Sequence, residues 1–379
     1  MRCDSVLELN RMLNFEIFSF PVPFRRVFRH SSALRMHAEN FIVRTSINNH
    51  IIGWGESCPR DYVTGESIES CRKFLHDHLD SLACITDLAS LHTWVENNAN
   101  VIDQNPSAFC AIELAILDAL GRADSIPVET LLGIEQLGAI TDYTGVLGDS
   151  PFGVYWLLAQ RYRARGFRDI KVKLSGNLEK DRRKLKLWKR KRLNRRSVRL
   201  DANNLWTTVD DCLGYLQNLP NVFWAVEEPL KPRDFTALTD LTARMEANVI
   251  LDESVTRVED LVHYTGNHWS VNLRISKHGG ILRSIQIARE AKTRGLNVIV
   301  GAHVGETSIL TRAAIVLIQY LENSQIATEG AFGTHLLTQD LAEKPLQFAR
   351  DGRMRTAKIK CLTQPGLGLK IRADLLKPG

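Results

Sequence analysis

Two lysines stand one residue apart in Arg168-Asp-Ile-Lys171-Val-Lys173-Leu174. In a β-strand, alternate side chains share a face, so Lys171 and Lys173 point the same way. Two close ammonium groups repel, which lowers the pKa of at least one and turns a lysine into a base near neutral pH. Further along, three apolar stretches each end in an acid: Val198-Arg-Leu-Asp201, Trp224-Ala-Val-Glu227 and Val249-Ile-Leu-Asp252. Their spacings are 26 and 25 residues. A fourth stretch, Val271-Asn-Leu-Arg-Ile-Ser-Lys277-His-Gly-Gly280, supplies Lys277. Three carboxylates on neighbouring strand ends cannot sit unpaired, and all-oxygen ligation with room for water and substrate suits Mg²⁺. With lysines on both sides of such a cluster, a substrate carboxylate would present its α-carbon between Lys173 and Lys277. One lysine removes the α-proton and the other returns it on the opposite face.

These positions recur at the spacing of strand–helix units. Candidate strands are 141–147, 168–173, 197–201, 222–227, 248–252, 271–275, 297–301 and 324–328, separated by stretches of helical length. Eight such units predict a closed parallel barrel, whose catalytic groups sit at the C-terminal strand ends. Before the barrel, residues 13–55 read as a small antiparallel sheet with an Asn48-Asn49 turn. Helices follow from Gly65 to residue 81, from Ser90 to about Asn97, over Ala108–Gly121, and over Pro127–Leu132. The Ala108–Gly121 helix is apolar on nearly every face, which places it centrally, between domains. The Pro365-Gly-Leu-Gly-Leu turn and strand returns to the N-terminal sheet. The expected division is an α+β capping domain over 1–135, the barrel over 136–335, and a returning segment over 336–379.

The chain has 379 residues, 44% hydrophobic and 24% charged, the composition of a globular protein. No apolar run is long enough to span a bilayer, and Met1-Arg-Cys-Asp-Ser opens no secretory h-region. Seven scattered cysteines without a Cys-x-x-Cys pair argue for reduced thiols in a cytoplasm and against zinc or a disulfide framework. The net charge of +6 is local in origin: residues 180–199 carry twelve Lys/Arg and one acid, leaving −5 for the remainder. A solvated outer helix explains that stretch better than a polyanion site, so no specific nucleic acid is expected.

The set Lys171-Val-Lys173, Asp201-Ala-Asn203, Val226-Glu227-Glu-Pro229, Leu251-Asp252-Glu-Ser254 and Ser276-Lys277-His-Gly-Gly280 resembles the enolase superfamily, specifically its muconate lactonizing enzyme subgroup. That subgroup includes dipeptide epimerases, N-acylamino acid racemases and o-succinylbenzoate synthases. Gly53-Trp-Gly-Glu56 and the closing Pro365-Gly-Leu-Gly extend the resemblance over nearly the whole chain. It implies an α/β fold, a modified TIM barrel (β/α)7β with an N-terminal α+β capping domain completed by the C-terminal tail. It implies Mg²⁺ on Asp201, Glu227 and Asp252, Lys173 and Lys277 as paired acid and base, Lys171 as the neighbour that tunes Lys173, and a homo-oligomer.

Around this set, alternatives stand open. Glu228 competes with Glu227, and Glu253 with Asp252, as the inward carboxylate. Asn203 either polarises a metal-bound water or caps the next helix. His303 and Glu306 either face the substrate or belong to the entry of the following helix. Arg60, Tyr62 and Thr64 lie in the loop that closes over the substrate in the family; the bland reading is an exposed loop. Arg25 and Arg26 either meet a distal carboxylate or stay solvated. Thr144 and Glu329 are further candidates for substrate contact. Many dipeptide epimerases carry Asp-x-Asp after the last strand; here Ile326-Ala-Thr-Glu329-Gly-Ala has one acid, which weakens an Ala-Glu type substrate. The expected activity is a Mg²⁺-dependent racemase or epimerase of an amino acid derivative, acting on a small carboxylate. A cycloisomerase or carbon–oxygen lyase is the alternative within enzymes, since all begin with the α-proton. A non-catalytic descendant that binds a ligand or a polyanion is the alternative outside them.

Overall fold

The computed structural model describes residues 12–30, 33–136, 138–189 and 197–378. The N-terminal sheet runs β1 (Leu13–His30), β2 (Ala33–Ile47) and β3 (Ile51–Ser57), each antiparallel to the next. The Asn48–Asn49 turn between β2 and β3 uses left-handed backbone, which asparagine tolerates. Three helices pack beside it: α1 (Ile68–Ala83), α2 (Leu88–Asn97) and α3 (Pro106–Ala123). Ser67 and Asp87 cap α1 and α2 through reciprocal bonds with Ser70 and Ser90.

Helix α3 is buried from Pro106 to Gly121, and the reason lies partly in β3. A Cβ on Gly55 would sit 1.8 Å from the Ala111 carbonyl oxygen, and one on Gly53 2.1 Å from that of Ala115. Strand and helix therefore touch backbone to backbone. Gly55→Ala should cost about 3 kcal/mol or more, because neither partner can retreat without opening the core. Urea unfolding measures this; a loss below about 1 kcal/mol would show that the contact yields.

Eight parallel strands form the second sheet: β4 (Gly145–Leu147), β5 (Ile170–Lys173), β6 (Val198–Asp201), β7 (Ala225–Glu227), β8 (Asn248–Leu251), β9 (Trp269–Leu273), β10 (Asn297–Val300) and β11 (Ala327–Thr328). Each is bonded to its sequence neighbour. The Thr144 N–H donates to the Thr328 carbonyl at 2.8 Å, joining the last strand to the approach of the first. The strands are largely buried on both faces, with apolar residues such as Ile170, Val172, Val198 and Leu200 on one face and Lys171, Lys173, Arg199 and Asp201 on the other. Connecting helices are α4 (Phe152–Arg165), α5 (Leu178–Lys186), α6 (Val209–Gln217), α7 (Phe235–Arg244), α8 (Ile281–Thr293) and α9 (Ser308–Tyr320). A 3-10 turn, Val258–His263, replaces the helix between β8 and β9.

One expected strand divides. Residues 141–147 split into Ile140–Asp142, paired with Arg353–Arg355, and β4 in the barrel. The basic run is α5 as far as Lys186; residues 190–196 lie outside the described residues.

The first sheet and its helices grip the barrel by buried carboxylates. Glu113 of α3 accepts the Ile281 and Leu282 N–H groups at 2.5 and 3.0 Å, the first turn of α8. Glu56 accepts from Thr307 N (2.9 Å), Thr307 Oγ1 (2.7 Å) and Leu310 N (3.1 Å), at the start of α9. Helix N-termini leave N–H groups unpaired and carry partial positive charge, so both carboxylates satisfy both demands. The C-terminal strand β12 (Lys377–Pro378) pairs antiparallel with Phe18 and Ser19 of β1. Among the described residues no helix is long and apolar enough to cross a membrane.

Candidate active site

The strand ends converge because the registers align: Lys173 lies beside Asp201, and Asp201 beside Glu227. Lys171 is enclosed, its ammonium 2.8 Å from Glu227 Oε1, 3.2 Å from Glu329 Oε1 and 3.3 Å from Asp201 Oδ2. Burial opposes its charge, but these three carboxylates hold its pKa well above the ordinary lysine value. Repulsion between the two lysines is outweighed there, so Lys171 is a fixed cation. Lys173 reaches further out, 19% exposed, 3.3 Å from Asp201 Oδ2. It donates to Asn203 Oδ1 at 2.9 Å. That contact decides one alternative: Asn203, in left-handed backbone, holds Lys173, and Thr208 caps the next helix.

Glu227 and Glu228 point to opposite sides. Glu227 Oε1 meets Lys171 and, at 3.2 Å, Asn272 Nδ2. Glu228 is spent on the next loop, accepting from Asp252 N, Ser254 N and Ser254 Oγ at 2.6–2.9 Å. Burial raises its pKa to about 7.

Asp252 is gripped by two cations. Its Oδ1 accepts from Lys277 at 2.8 Å, and its Oδ2 contacts Arg274 Nη2. Lys277 has no exposed side-chain surface and also donates to the carbonyls of Asp252 and Asn272, at 2.5 and 3.0 Å. Burial, then the Arg274 charge, pull its pKa down to about 7, while a carboxylate and two carbonyls absorb all three of its protons. The chain turns helically after Arg274, whose carbonyl accepts from Lys277 N and His278 N. Lys277 therefore tucks behind Asp252. The side chain that reaches the open side of the cluster from β9 is Arg274, 14% exposed and 3.8 Å from Glu227 Oε1. Strands β5 and β9 are four apart in a ring of eight, so Arg274 faces Lys173 across the carboxylates.

The other expected residues scatter. Arg60 is not in an exposed loop: it is 2% exposed, with Nη1 on the carbonyls of Pro59 and Glu39 and Nη2 on that of Val304. It ties the capping loop to the loop after β10. Tyr62 is 38% exposed on the one-turn helix Asp61–Thr64. Thr144 is fully buried, not a surface for substrate: it bonds Asp169, Arg199 and the Thr328 carbonyl. Glu329 is bound by Lys171 and by Arg199 at 2.6 Å, and those cations hold its pKa down at about 2 against its burial. His303 is buried, and neither ring nitrogen has a hydrogen-bond partner among the described residues. Glu306 accepts from the His303 backbone N–H at 2.5 Å, and burial raises its pKa to about 8. Arg25 is spent on the carbonyls of Thr334 and Leu337; the Arg26 side chain lies outside the described residues.

The fit of a cation is tested by the oxygens left over. Asp201 Oδ1 and Glu227 Oε2 are buried and without a hydrogen-bond partner among the described residues. Buried unpaired carboxylate oxygens are costly, and these two belong to strands in register. They fit a hard divalent ion. Among the described residues no three His, Cys, Asp or Glu side chains form a metal-holding group, and Asp252 is turned to Lys277 and Arg274.

An eight-stranded parallel barrel beneath an α+β cap, with carboxylates on three successive strand ends flanked by lysines, defines a class of barrel enzymes with a charged site at the strand ends. The chain belongs to the enolase superfamily, in its muconate lactonizing enzyme subgroup. Residues 15–133 match the mandelate racemase / muconate lactonizing enzyme N-terminal domain, and residues 156–375 the enolase C-terminal domain-like family. It is 24% identical over 380 residues to an N-succinyl-L-Arg/Lys racemase of Bacillus cereus, covering 95% of each chain. It is 25% identical over 309 residues to an L-Ala-D/L-Glu epimerase of Bacillus subtilis, covering 80% of this chain and 84% of that one. The fold matches the muconate lactonizing enzyme of Pseudomonas fluorescens complexed with muconolactone, with a TM-score of 0.83 at 23% identity over 97% and 98% of the two chains. By their names these relatives are all isomerases.

Proposed function

We propose that this protein removes the proton α to a carboxylate from one face of its substrate, with Lys173 as the base. The observation that carries this reading is the asymmetry of the two faces: Lys173 is accessible, while Arg274 occupies the facing position and Lys277 is sealed behind Asp252. Bound at Asp201 and Glu227, with Asp252 where it is released, Mg²⁺ would supply positive charge to the substrate carboxylate. Lys171 stays charged and adds a fixed positive potential beside Asp201 and Glu227. Asn203 orients the Lys173 amine by accepting a hydrogen bond from it. In its unprotonated form Lys173 would take the α-proton and hold it on the same face. An arginine guanidinium does not give up its proton at working pH, so Arg274 stabilises negative charge without acting as a base. Single-face proton transfer serves cycloisomerisation, or an elimination, of a small carboxylate.

The names of the relatives favour a second reading, racemisation or epimerisation of an amino acid derivative or dipeptide. It requires an acid on the far face, and hence Lys277 freed from Asp252.

Mg²⁺-dependent exchange in D₂O, followed by NMR with chiral analysis of pooled dipeptides, N-acylamino acids and other small carboxylates, separates the two. Deuterium entering without inversion, or with ring closure or bond cleavage, supports the one-base reading. Inversion by the unaltered protein, abolished in Lys277→Ala, overturns it. Arg274→Lys places a titratable ammonium on the far face. It should raise inversion relative to retention by roughly tenfold or more, a modest share of what general acid catalysis contributes.

A further inference from the structure

Arg274 is held in an incomplete arrangement. Its Nη2 contacts Asp252 Oδ2 and lies 3.8 Å from Glu227 Oε1, so the guanidinium stands between two of the three carboxylates proposed to hold an ion. Its Nε is buried without a hydrogen-bond partner among the described residues, a cost that makes this position cheap to leave. The stem of Arg274 passes over the next strand at a point where that strand carries no side chain. At Gly301, just past β10, a Cβ would lie 3.1 Å from Arg274 Cγ and 1.9 Å from Asn272 Oδ1. Two residues beyond, His303 offers ring nitrogens that nothing among the described residues engages. Burial and the Arg274 charge keep that ring neutral, with one nitrogen a lone-pair acceptor.

We propose that Arg274 is a two-position arm that latches Asp252 when the carboxylate cluster holds no ion and is released toward His303 when a divalent cation enters. The inference rests on the ion reading above. A guanidinium and a divalent cation drawn to the same carboxylate cluster repel each other, so their occupancies are coupled and each weakens the other. In the latched state the arm supplies countercharge to Asp252. In the released state it stays on the far face, clear of Asp252, so the far-face cation is free to meet substrate only after the ion has bound. Metal loading would thereby order the site before substrate arrives.

The test is Mn²⁺ binding to the EDTA-treated full chain by isothermal titration calorimetry, with melting temperature as a second readout. Arg274→Met keeps side-chain length and removes the charge. It should bind Mn²⁺ roughly tenfold tighter or more, within the range usual for coupled sites. Its metal-free melting temperature should fall below that of the unaltered protein, because Asp252 loses a countercharge. Equal or weaker Mn²⁺ affinity in Arg274→Met overturns the latch and leaves the ion reading standing. Asp201→Asn is the control for that reading. If Mn²⁺ binds neither the unaltered protein nor Arg274→Met, or if Asp201→Asn leaves binding intact, the ion reading falls and the latch with it.

Discussion

Lys173→Ala should lower solvent deuterium incorporation at the substrate α-carbon by roughly 10³-fold, the middle of the range for a general base. The size follows from position. Lys173 is the accessible ammonium of its pair, aimed by Asn203 and tied to Asp201, whereas Lys171 is enclosed by three carboxylates. Removing Lys173 leaves Asp201 still paired with Lys171, so the carboxylate cluster should keep its arrangement. Unchanged circular dichroism and Mn²⁺ affinity within a few-fold would separate loss of the base from loss of the site. Lys277→Ala should behave differently. Lys277 holds both the carboxylate and the carbonyl of Asp252, as Arg274 holds its other oxygen, so its removal should free Asp252 and leave ion binding no weaker. Exchange that persists in Lys173→Ala would remove the central element of the proposed chemistry.

The largest stability loss should come from a residue remote from that chemistry. Glu129, in the short helix Val128–Leu131, accepts both Nη groups of Arg312 at 2.6 Å, and neither side chain is exposed. Arg312 also donates to the Leu367 carbonyl at 3.1 Å. Glu129→Ala would leave a guanidinium buried without its counter-ion, which costs about 3–5 kcal/mol. Against a total stability of about 5–15 kcal/mol, that removes from roughly a fifth to the whole of the margin. Replacing both partners by apolar residues, Glu129→Leu with Arg312→Met, should lose less than either single change, since no unpaired charge remains. Urea unfolding of the three variants checks the order. A single-variant loss below about 1 kcal/mol would mean that solvent reaches the pair.

Much of the fold was legible because parallel barrel strands advertise themselves as short apolar runs at regular spacing. Each expected barrel strand overlaps an observed one, and Asp201, Glu227 and Asp252 fall at or just past the ends of β6, β7 and β8. The far side of the site was less legible. The alternation that pairs Lys171 with Lys173 also pairs Asn272 on β9 with Arg274 one residue past its end, and that signal was available. Lys277 drew attention by its type, but it lies past Leu273, where the chain coils and alternation no longer assigns a face. Arg60 shows another limit. A loop arginine after Cys58-Pro59 looks solvated until the loop after β10 supplies the Val304 carbonyl, a partner 244 residues away. Glu113 and Asp118 were equally opaque inside an apolar helix, because the N–H groups they accept belong to Ile281, Leu282, Trp54 and Leu367.

The pairing of β12 with β1 also dictates an order of events during synthesis. Phe18 and Ser19 leave the ribosome early, and their partners Pro378 and Lys377 some 360 residues later. At ordinary elongation rates of about 5–20 residues per second, that delay is roughly 20–70 s. Throughout it, one edge of β1 exposes unpaired backbone groups, the kind of edge that recruits strands from other chains. The carboxylates of Glu113 and Glu56 must likewise wait for α8 and α9. The β1–β3 sheet is thus made before the barrel and its Phe18–Ser19 edge is paired only after it, so a chain stalled in between would present that edge to its neighbours.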